Sequence, residues 1–324
     1  MQINKLIIAN LILLVLLFVC SALLQAKCSK MSSAKSYKTS YLKGFKYLSF
    51  GENNWLFRDL DFKLQFSVAD NSLSILSDIN KTLQTHDITL ILVPIPTRGL
   101  IHHDQVLAKY DSTLAKSNYI RYLDQLRFSG LLVPNIESLF TYQQYPLFFK
   151  GDHHWNYRGS REMAKLVAQV IKASDSYVDL KKYSFVTSIL GVNKMEGSLQ
   201  KAYRLLCKKK LGKESHKTYQ TMSTNNDLFV TEKTDIAIVG TSNSNGKIKL
   251  NFDGFISHYS KLNTTNYALS GGGYKKSITQ FFKLNADEIK SYRYIVWEFP
   301  SYYVINDKRF LTDILNKVNS FSVN

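Results

Sequence analysis

Two short stretches carry the residue types that could do chemistry. The first is Ile236 to Ser244, I-A-I-V-G-T-S-N-S. An apolar, β-branched run stops abruptly at Gly240-Thr241-Ser242. That pattern leaves a serine hydroxyl at the carboxyl end of a parallel strand, where open α/β sheets bind ligands. A serine there is inert until a base takes its proton. The second stretch, Gly151-Asp152-His153-His154-Trp155, offers the base. Across one intervening residue the Asp152 carboxylate can reach the His154 imidazole, fix its tautomer and stabilise the imidazolium. Ser242, His154 and Asp152 therefore read together as a Ser-His-Asp acyl-transfer site. His153 is a competing base, but it adjoins Asp152 and leaves the carboxylate less room to fold back. Both stretches also have plain structural readings: a turn serine after a strand, and a helix-capping Asp152 beside surface histidines.

Two further clusters sit at expected strand ends. Ser270-Gly271-Gly272-Gly273 could supply backbone N–H groups, Gly272 and Gly273 among them, to an oxyanion hole. It could equally be a flexible turn, and it lacks the Lys-Ser/Thr of a phosphate-binding loop. In Pro96-Thr97-Arg98-Gly99, Arg98 is either a group that orients an anionic substrate or a solvated loop arginine. Asp152-His153-His154 also spells D-H-H, a signature of paired-metal phosphoesterases, with Asp59, Asp61 and His102-His103-Asp104 as further ligands. The Asp59–Asp61 stretch does not follow a buried strand, however, and the chain begins with an export signal. No metal and no cofactor are expected.

These groups need a scaffold. Helices are expected over Leu73–Thr85, Tyr119–Phe128, Tyr157–Lys172, Gly246–Ser260, Lys275–Leu284 and Phe310–Val318, most of them from apolar spacing of three and four. Strands are expected at Ile88–Val93, Leu131–Val133, Asp235–Val239, Thr265–Leu269 and Tyr294–Trp297. Their alternation predicts an α/β fold with a doubly wound parallel sheet. Cys28 to Tyr47 reads as part of an extended arm (residues 27–49). Ser174 to Lys233 is polar, lysine-rich and poorly periodic. It reads as an insertion or surface excursion within a single domain, residues 50–324.

The chain has 324 residues, 45% hydrophobic and 13% aromatic, which excludes global disorder. Its net charge is +17, from 42 Lys and Arg against 25 Asp and Glu. That excess suits an anionic partner, and the absence of recognition motifs ranks nucleic acid last. Leu6 to Leu24 is almost unbroken apolar sequence, so residues 1–26 read as a signal peptide or a retained membrane anchor. Those residues carry one charge, Lys5, so the remainder holds one less than +17, or +16. Two cysteines lie beyond that segment, and in an oxidising compartment Cys28 and Cys207 are expected to form a disulfide.

Taken in order, several motifs resemble one family. They are Trp55-Leu56-Phe57 after a glycine-containing turn, Val93-Pro94 to Arg98-Gly99, and Asp152-x-His154-Trp155. There follow Gly240-Thr241-Ser242-Asn243-Ser244 with Asn251-Phe252, then Asn266 to Gly273, and Glu298-x-Pro300. Over about residues 50 to 305 the chain is similar to the alginate O-acetyltransferase family (AlgJ and AlgX type), a permuted, periplasmic branch of the SGNH hydrolase superfamily. Asp-x-His precedes the serine, the reverse of the usual SGNH order. The resemblance implies Ser242 as nucleophile, His154 as base and Asp152 as orienting acid, with Asn266 among the substrate or oxyanion contacts. It implies an acetyl-serine intermediate, transfer to an exported polysaccharide, inner-membrane association, and a membrane-bound O-acyltransferase as acetyl supplier. A carbohydrate esterase with the same triad and a non-catalytic polysaccharide-binding component of an export complex are the alternatives. His153 stands where the family carries Thr or Ser, and no AlgX-type carbohydrate-binding module is expected.

Overall fold

A computed structural model describes residues 28–107, 109–142, 144–224, 234–245 and 250–322. The elements in chain order begin with α1 (Ser40–Lys43), β1 (Ser49–Phe50), β2 (Leu56–Phe57), α2 (Asp70–Gln84), β3 (Thr89–Ile95), α3 (Arg98–Ile101) and α4 (Ser112–Phe128). There follow α5 (Tyr157–Lys172), β4 (Phe185–Met195), α6 (Ser198–Cys207), β5 (Glu214–Ser223) and β6 (Ile236–Val239). The chain closes with α7 (Phe252–Ser260), β7 (Thr264–Asn266), α8 (Lys275–Phe281), α9 (Ala286–Lys290), β8 (Tyr294–Pro300) and α10 (Lys308–Asn319). The expected segment 1–26 lies outside the described residues. Among the described residues no helix is long and apolar enough to cross a membrane.

The central sheet has four parallel strands in the order β3-β8-β6-β7. Every residue of β6 and β8 is buried. This is why both strands read as unbroken apolar runs: a parallel strand covered on both faces has no solvent side to alternate with. Helices pack as pairs, α2 with α10 and α5 with α7, giving the covered sheet of a doubly wound α/β domain. Because the strands are parallel, the ends of β6, β7 and β8 lie along one edge, and the chemistry collects there.

The expected strand Leu131–Val133 shrinks to one bridge, Leu132 against Ile91, with Leu92 N donating to Leu132 O at 2.9 Å. Pro134 follows and cannot donate to a ladder, so pairing stops. The helix expected from Gly246 is described only from Phe252, residues 246–249 lying outside the described set.

Residues 174–233 were expected as an insertion or surface excursion, and the part that is described has regular structure of its own. Through Thr224 the stretch folds as an antiparallel β4–β5 pair with α6 between the strands. Residues 225–233 are outside the described set. A second apolar cluster joins Met31, Tyr37, Leu42, Phe45 and Leu48 of the arm to Leu199, Ala202, Tyr203 and Leu206 of α6. A Cys28–Cys207 disulfide seals it, spanning 179 positions. Closing so long a loop removes on the order of 5 kcal/mol of unfolded-state entropy in the chain-entropy treatment. Cys207→Ser is therefore expected to lower unfolding free energy by about 2–5 kcal/mol, read as a lower urea midpoint with a steeper slope, since the unfolded chain without the cross-link exposes more surface. An unchanged midpoint would show that the packed cluster alone holds the arm.

Candidate active site

The Asp-His loop is the tip of a tight reversal. Phe148 bridges Trp155 in antiparallel fashion, and Asn156 N donates to Leu147 O at 2.9 Å. Helix α5 starts directly after the loop. Its cap is Asn156, whose side chain accepts from Arg158 N and Gly159 N at 2.8 and 3.2 Å. Asp152 is therefore not the α5 cap, and its carboxylate is free for other work.

That work is to hold His154. Asp152 Oδ1 accepts from His154 N at 2.9 Å and lies 2.5 Å from His154 Nδ1. Its other oxygen accepts from Ser198 N at 2.6 Å. Ser198 is the first residue of α6, and the next two amides of that helix, Leu199 and Gln200, donate to Gly151 O. Amide groups that a helix start would leave unpaired thus fasten the Asp-His loop. The approach is close: a Cβ on Gly197 would stand 2.1 Å from Gly151 O, so only glycine fits. Burial by itself raises the Asp152 carboxyl, yet the interaction with His154, the neighbouring His153 and the hydrogen bond from Ser198 N hold it well below the ordinary range. Asp152 is an anion beside the imidazole.

With Nδ1–H directed at Asp152, His154 presents Nε2 as an acceptor. Ser242 Oγ stands 2.8 Å from it. The three residues selected on type and spacing thus form a continuous hydrogen-bonded chain. His153 is no rival. Its ring lies against that of His154, centroids 3.7 Å apart, and its Nδ1 is 2.6 Å from Ser198 Oγ. Burial and the neighbouring His154 push its pKa well down, so it is a neutral packing group. Asp152, His153 and His154 do offer donor atoms within 4.8 Å of one another. Both Asp152 oxygens and His154 Nδ1 are already engaged in hydrogen bonds within the loop and to α6. His102 is likewise committed elsewhere, accepting from Leu147 N and Phe148 N, with burial pushing it down to about 3.

Ser242 stands just past β6 on a turn with several braces. Trp155 Nε1 donates to Asn243 O at 2.9 Å, Asn266 Nδ2 donates to Ser244 O at 2.9 Å, and Leu269 N donates to Gly240 O at 3.0 Å. The remaining anchor is Glu298 on β8, which accepts from Thr241 and Ser244. Among the described residues the Ser242 N–H has no partner.

Asn266 spends one Nδ2 hydrogen on bracing this turn, while its Oδ1 accepts from Ala268 N in the loop after β7. Gly272 and Gly273 lie in the turn after β7, with Gly271 and Gly273 at φ of +77° and +57°. The expectation for Arg98 is corrected. It is 1% exposed and donates to Leu56 O, Phe149 O, Lys150 O and Asp61. Those acceptors engage both terminal nitrogens of the buried cation, so Arg98 ties the Asp-His loop to β2, and at 1% exposure it cannot meet a substrate. Sequence reading missed Ser198 and the role of Glu298. For Glu298 there was a signal, a lone carboxylate in a fully apolar strand. For Ser198 there was none.

Comparison with known proteins places the fold in a family. A family model described as "SGNH hydrolase-like domain, acetyltransferase AlgX" matches residues 48–301. The chain belongs to this family. It is 29% identical over 304 residues to the alginate biosynthesis protein AlgX of Pseudomonas aeruginosa, a match covering 90% of this chain and 64% of the relative. The chain thus spans under two thirds of the length of that AlgX relative. It is 22% identical to the probable alginate O-acetylase AlgJ of Pseudomonas putida, covering 78% of this chain and 69% of AlgJ. The solved structure of Pseudomonas aeruginosa AlgX superposes with a TM-score of 0.82 at 28% identity, over 90% of this chain and 70% of that one. The acetyltransferase domain of Pseudomonas putida AlgJ gives 0.68 at 21% identity, a likeness of fold, over 83% of this chain and 99% of that one.

Proposed function

We propose that this protein is an O-acetyltransferase that carries an acetyl group on Ser242 and passes it to a hydroxyl of an exported, anionic polysaccharide such as alginate. The observation that carries this reading is the 2.8 Å contact between Ser242 Oγ and an imidazole held by an ionised carboxylate. Relatives named as an alginate biosynthesis protein and a probable alginate O-acetylase support the substrate class.

In the proposed cycle Ser242 Oγ attacks the acetyl carbonyl of the donor as its proton passes to His154 Nε2. The tetrahedral oxyanion takes hydrogen bonds from the Ser242 N–H, the second Nδ2 hydrogen of Asn266 and the Gly272 and Gly273 amides. Collapse breaks the bond to the donor's leaving oxygen, which receives the proton from His154. A sugar hydroxyl then gives its proton to His154, attacks the acetyl-serine, and frees Ser242 Oγ to be reprotonated. Asp152 stays ionised throughout and stabilises the imidazolium. The protein would act in the periplasm, exported or tethered at the inner membrane by residues 1–26, with a membrane-bound O-acyltransferase supplying acetyl. The +16 carried beyond residue 26 suits a uronate acceptor.

The test is partition of acetyl between sugar and water. Given 4-nitrophenyl acetate and uronate oligosaccharides, the protein is expected to release less free acetate and to yield oligosaccharides heavier by about 42 Da per acetyl, the mass of the group carried in covalent catalysis. Acetate release that oligosaccharides leave unchanged would contradict transfer and favour the esterase.

A further inference from the structure

Glu298 is a charged group in a place that is costly for charge. It is 0% exposed, at the carboxyl end of β8. Among the described residues no cation lies within ion-pair distance of it. A buried carboxylate without an ion-pair partner is destabilising unless hydrogen bonds satisfy it. Here they do, and the donors come from one turn. Oε2 accepts from Thr241 N at 2.8 Å and from Ser244 Oγ at 2.7 Å, while Oε1 accepts from Thr241 Oγ1 at 2.9 Å. The Thr241 hydroxyl in turn faces Asn243 N and Asn243 Nδ2, each at 3.3 Å. Residues 241, 243 and 244 are thereby fastened around Ser242, whose own side chain is left for His154.

Register explains the reach. Trp297 pairs with Val239 across the β6–β8 ladder, so Glu298 lies beside Gly240, where the strand breaks. A Cβ at Gly240 would stand 2.6 Å from Glu298 Oε2. Glycine there leaves room for the carboxylate and for Ser244 Oγ, which would stand 3.1 Å from the same Cβ. The buried network gains nothing for the core that an apolar side chain would not supply at lower cost. What it fixes is the position of the serine.

We propose that Glu298 is the positioning residue of the nucleophile: its carboxylate clamps the Thr241–Ser244 turn so that Ser242 Oγ is held at His154 Nε2 before substrate arrives. This rests on the acetyl-serine reading. It goes beyond it in giving a residue outside the triad a defined task, one that acts through hydrogen-bond acceptors. Glutamine can keep most of that task. Its Oε1 can take the Oε2 place and accept from Thr241 N and Ser244 Oγ, while its amide donates to Thr241 Oγ1. Alanine and leucine keep none of it.

The test compares wild type, E298Q, E298A and E298L by the rate of serine acylation in the 4-nitrophenyl acetate burst. The Thr241 amide is followed by NMR hydrogen exchange and folding by thermal melting. A misplacement of about 1 Å costs on the order of 100-fold in rate. Expected is a loss of about that size in E298A and E298L with KM changed little, recovery by E298Q to within about tenfold of wild type, and Thr241 amide protection lost with alanine and kept with glutamine. T241V with S244A removes the same hydroxyl donors without touching β8 and is expected to reproduce the loss, which guards against a folding failure of the Glu298 variants. Wild-type acylation rates in folded E298A and in T241V with S244A would overturn the proposal. An adduct missing from wild type, or present in S242A, would instead remove the acetyl-serine reading, and the Thr241 exchange data would still report on the clamp.

Discussion

Ser242→Ala is expected to reduce acetyl-ester cleavage and acetyl transfer to background, a loss on the order of 10⁵ to 10⁶ in kcat. The size follows from how the site is built. Asp152 and His154 have one outlet, the Nε2 that faces Ser242 Oγ, and His153 is turned to Ser198. With the hydroxyl gone, no other side chain among the described residues hydrogen-bonds to His154 Nε2. Only the oxyanion donors and bound water would remain, the residue of catalysis that survives loss of a triad member. The fold is expected to be untouched, because the Ser242 side chain has no described hydrogen bond besides that to His154. A steady-state assay with 4-nitrophenyl acetate, normalised to melting temperature, checks both points.

Asp152→Asn is expected to cost about 10⁴ in kcat. The carboxylate accepts from three donors, His154 Nδ1 and His154 N on one oxygen and Ser198 N on the other. An asparagine has one acceptor oxygen and one NH2, so any orientation sets N–H against N–H. If the oxygen faces Ser198, the amide faces His154, which must then turn Nδ1 into an acceptor and carry its proton on Nε2. That tautomer cannot take the proton of Ser242. If the oxygen faces His154, the first amide of α6 is left unpaired in a buried site, at a cost of about 1–3 kcal/mol. The variant is therefore expected to lose activity and some stability together, measured as kcat and as a urea midpoint. Near wild-type kcat would show that His154 is oriented by something other than Asp152.

Much of this site was legible in the sequence, for a physical reason. A strand covered on both faces is written as an unbroken apolar run, and the abrupt halt at Gly240 marks its end. Asp152-x-His154 is local, so its geometry is nearly set by the chain itself. What could not be read depends on contacts between distant segments. Ser198 lies 46 residues past Asp152, inside a stretch whose strands are half exposed and carry no clean period. Arg98 was read as a substrate-orienting group or a solvated loop arginine, because a charge in a loop at a strand end usually faces solvent or ligand. Three backbone carbonyls and Asp61 meet it only once β2, the Asp59–Asp61 stretch and the Asp-His loop have come together. The disulfide was expected from the compartment, but its task of holding α6 beneath the active-site loop became visible only with the packing of the arm.

The most direct measurement is the intact mass of the protein after brief incubation with 4-nitrophenyl acetate, wild type beside Ser242→Ala. Expected is a species heavier by about 42 Da in wild type alone, located on Ser242 by fragmentation, as covalent catalysis through an acetyl-serine requires. No adduct in wild type under burst conditions, or the same adduct in the alanine variant, would contradict the assignment of Ser242 as the nucleophile.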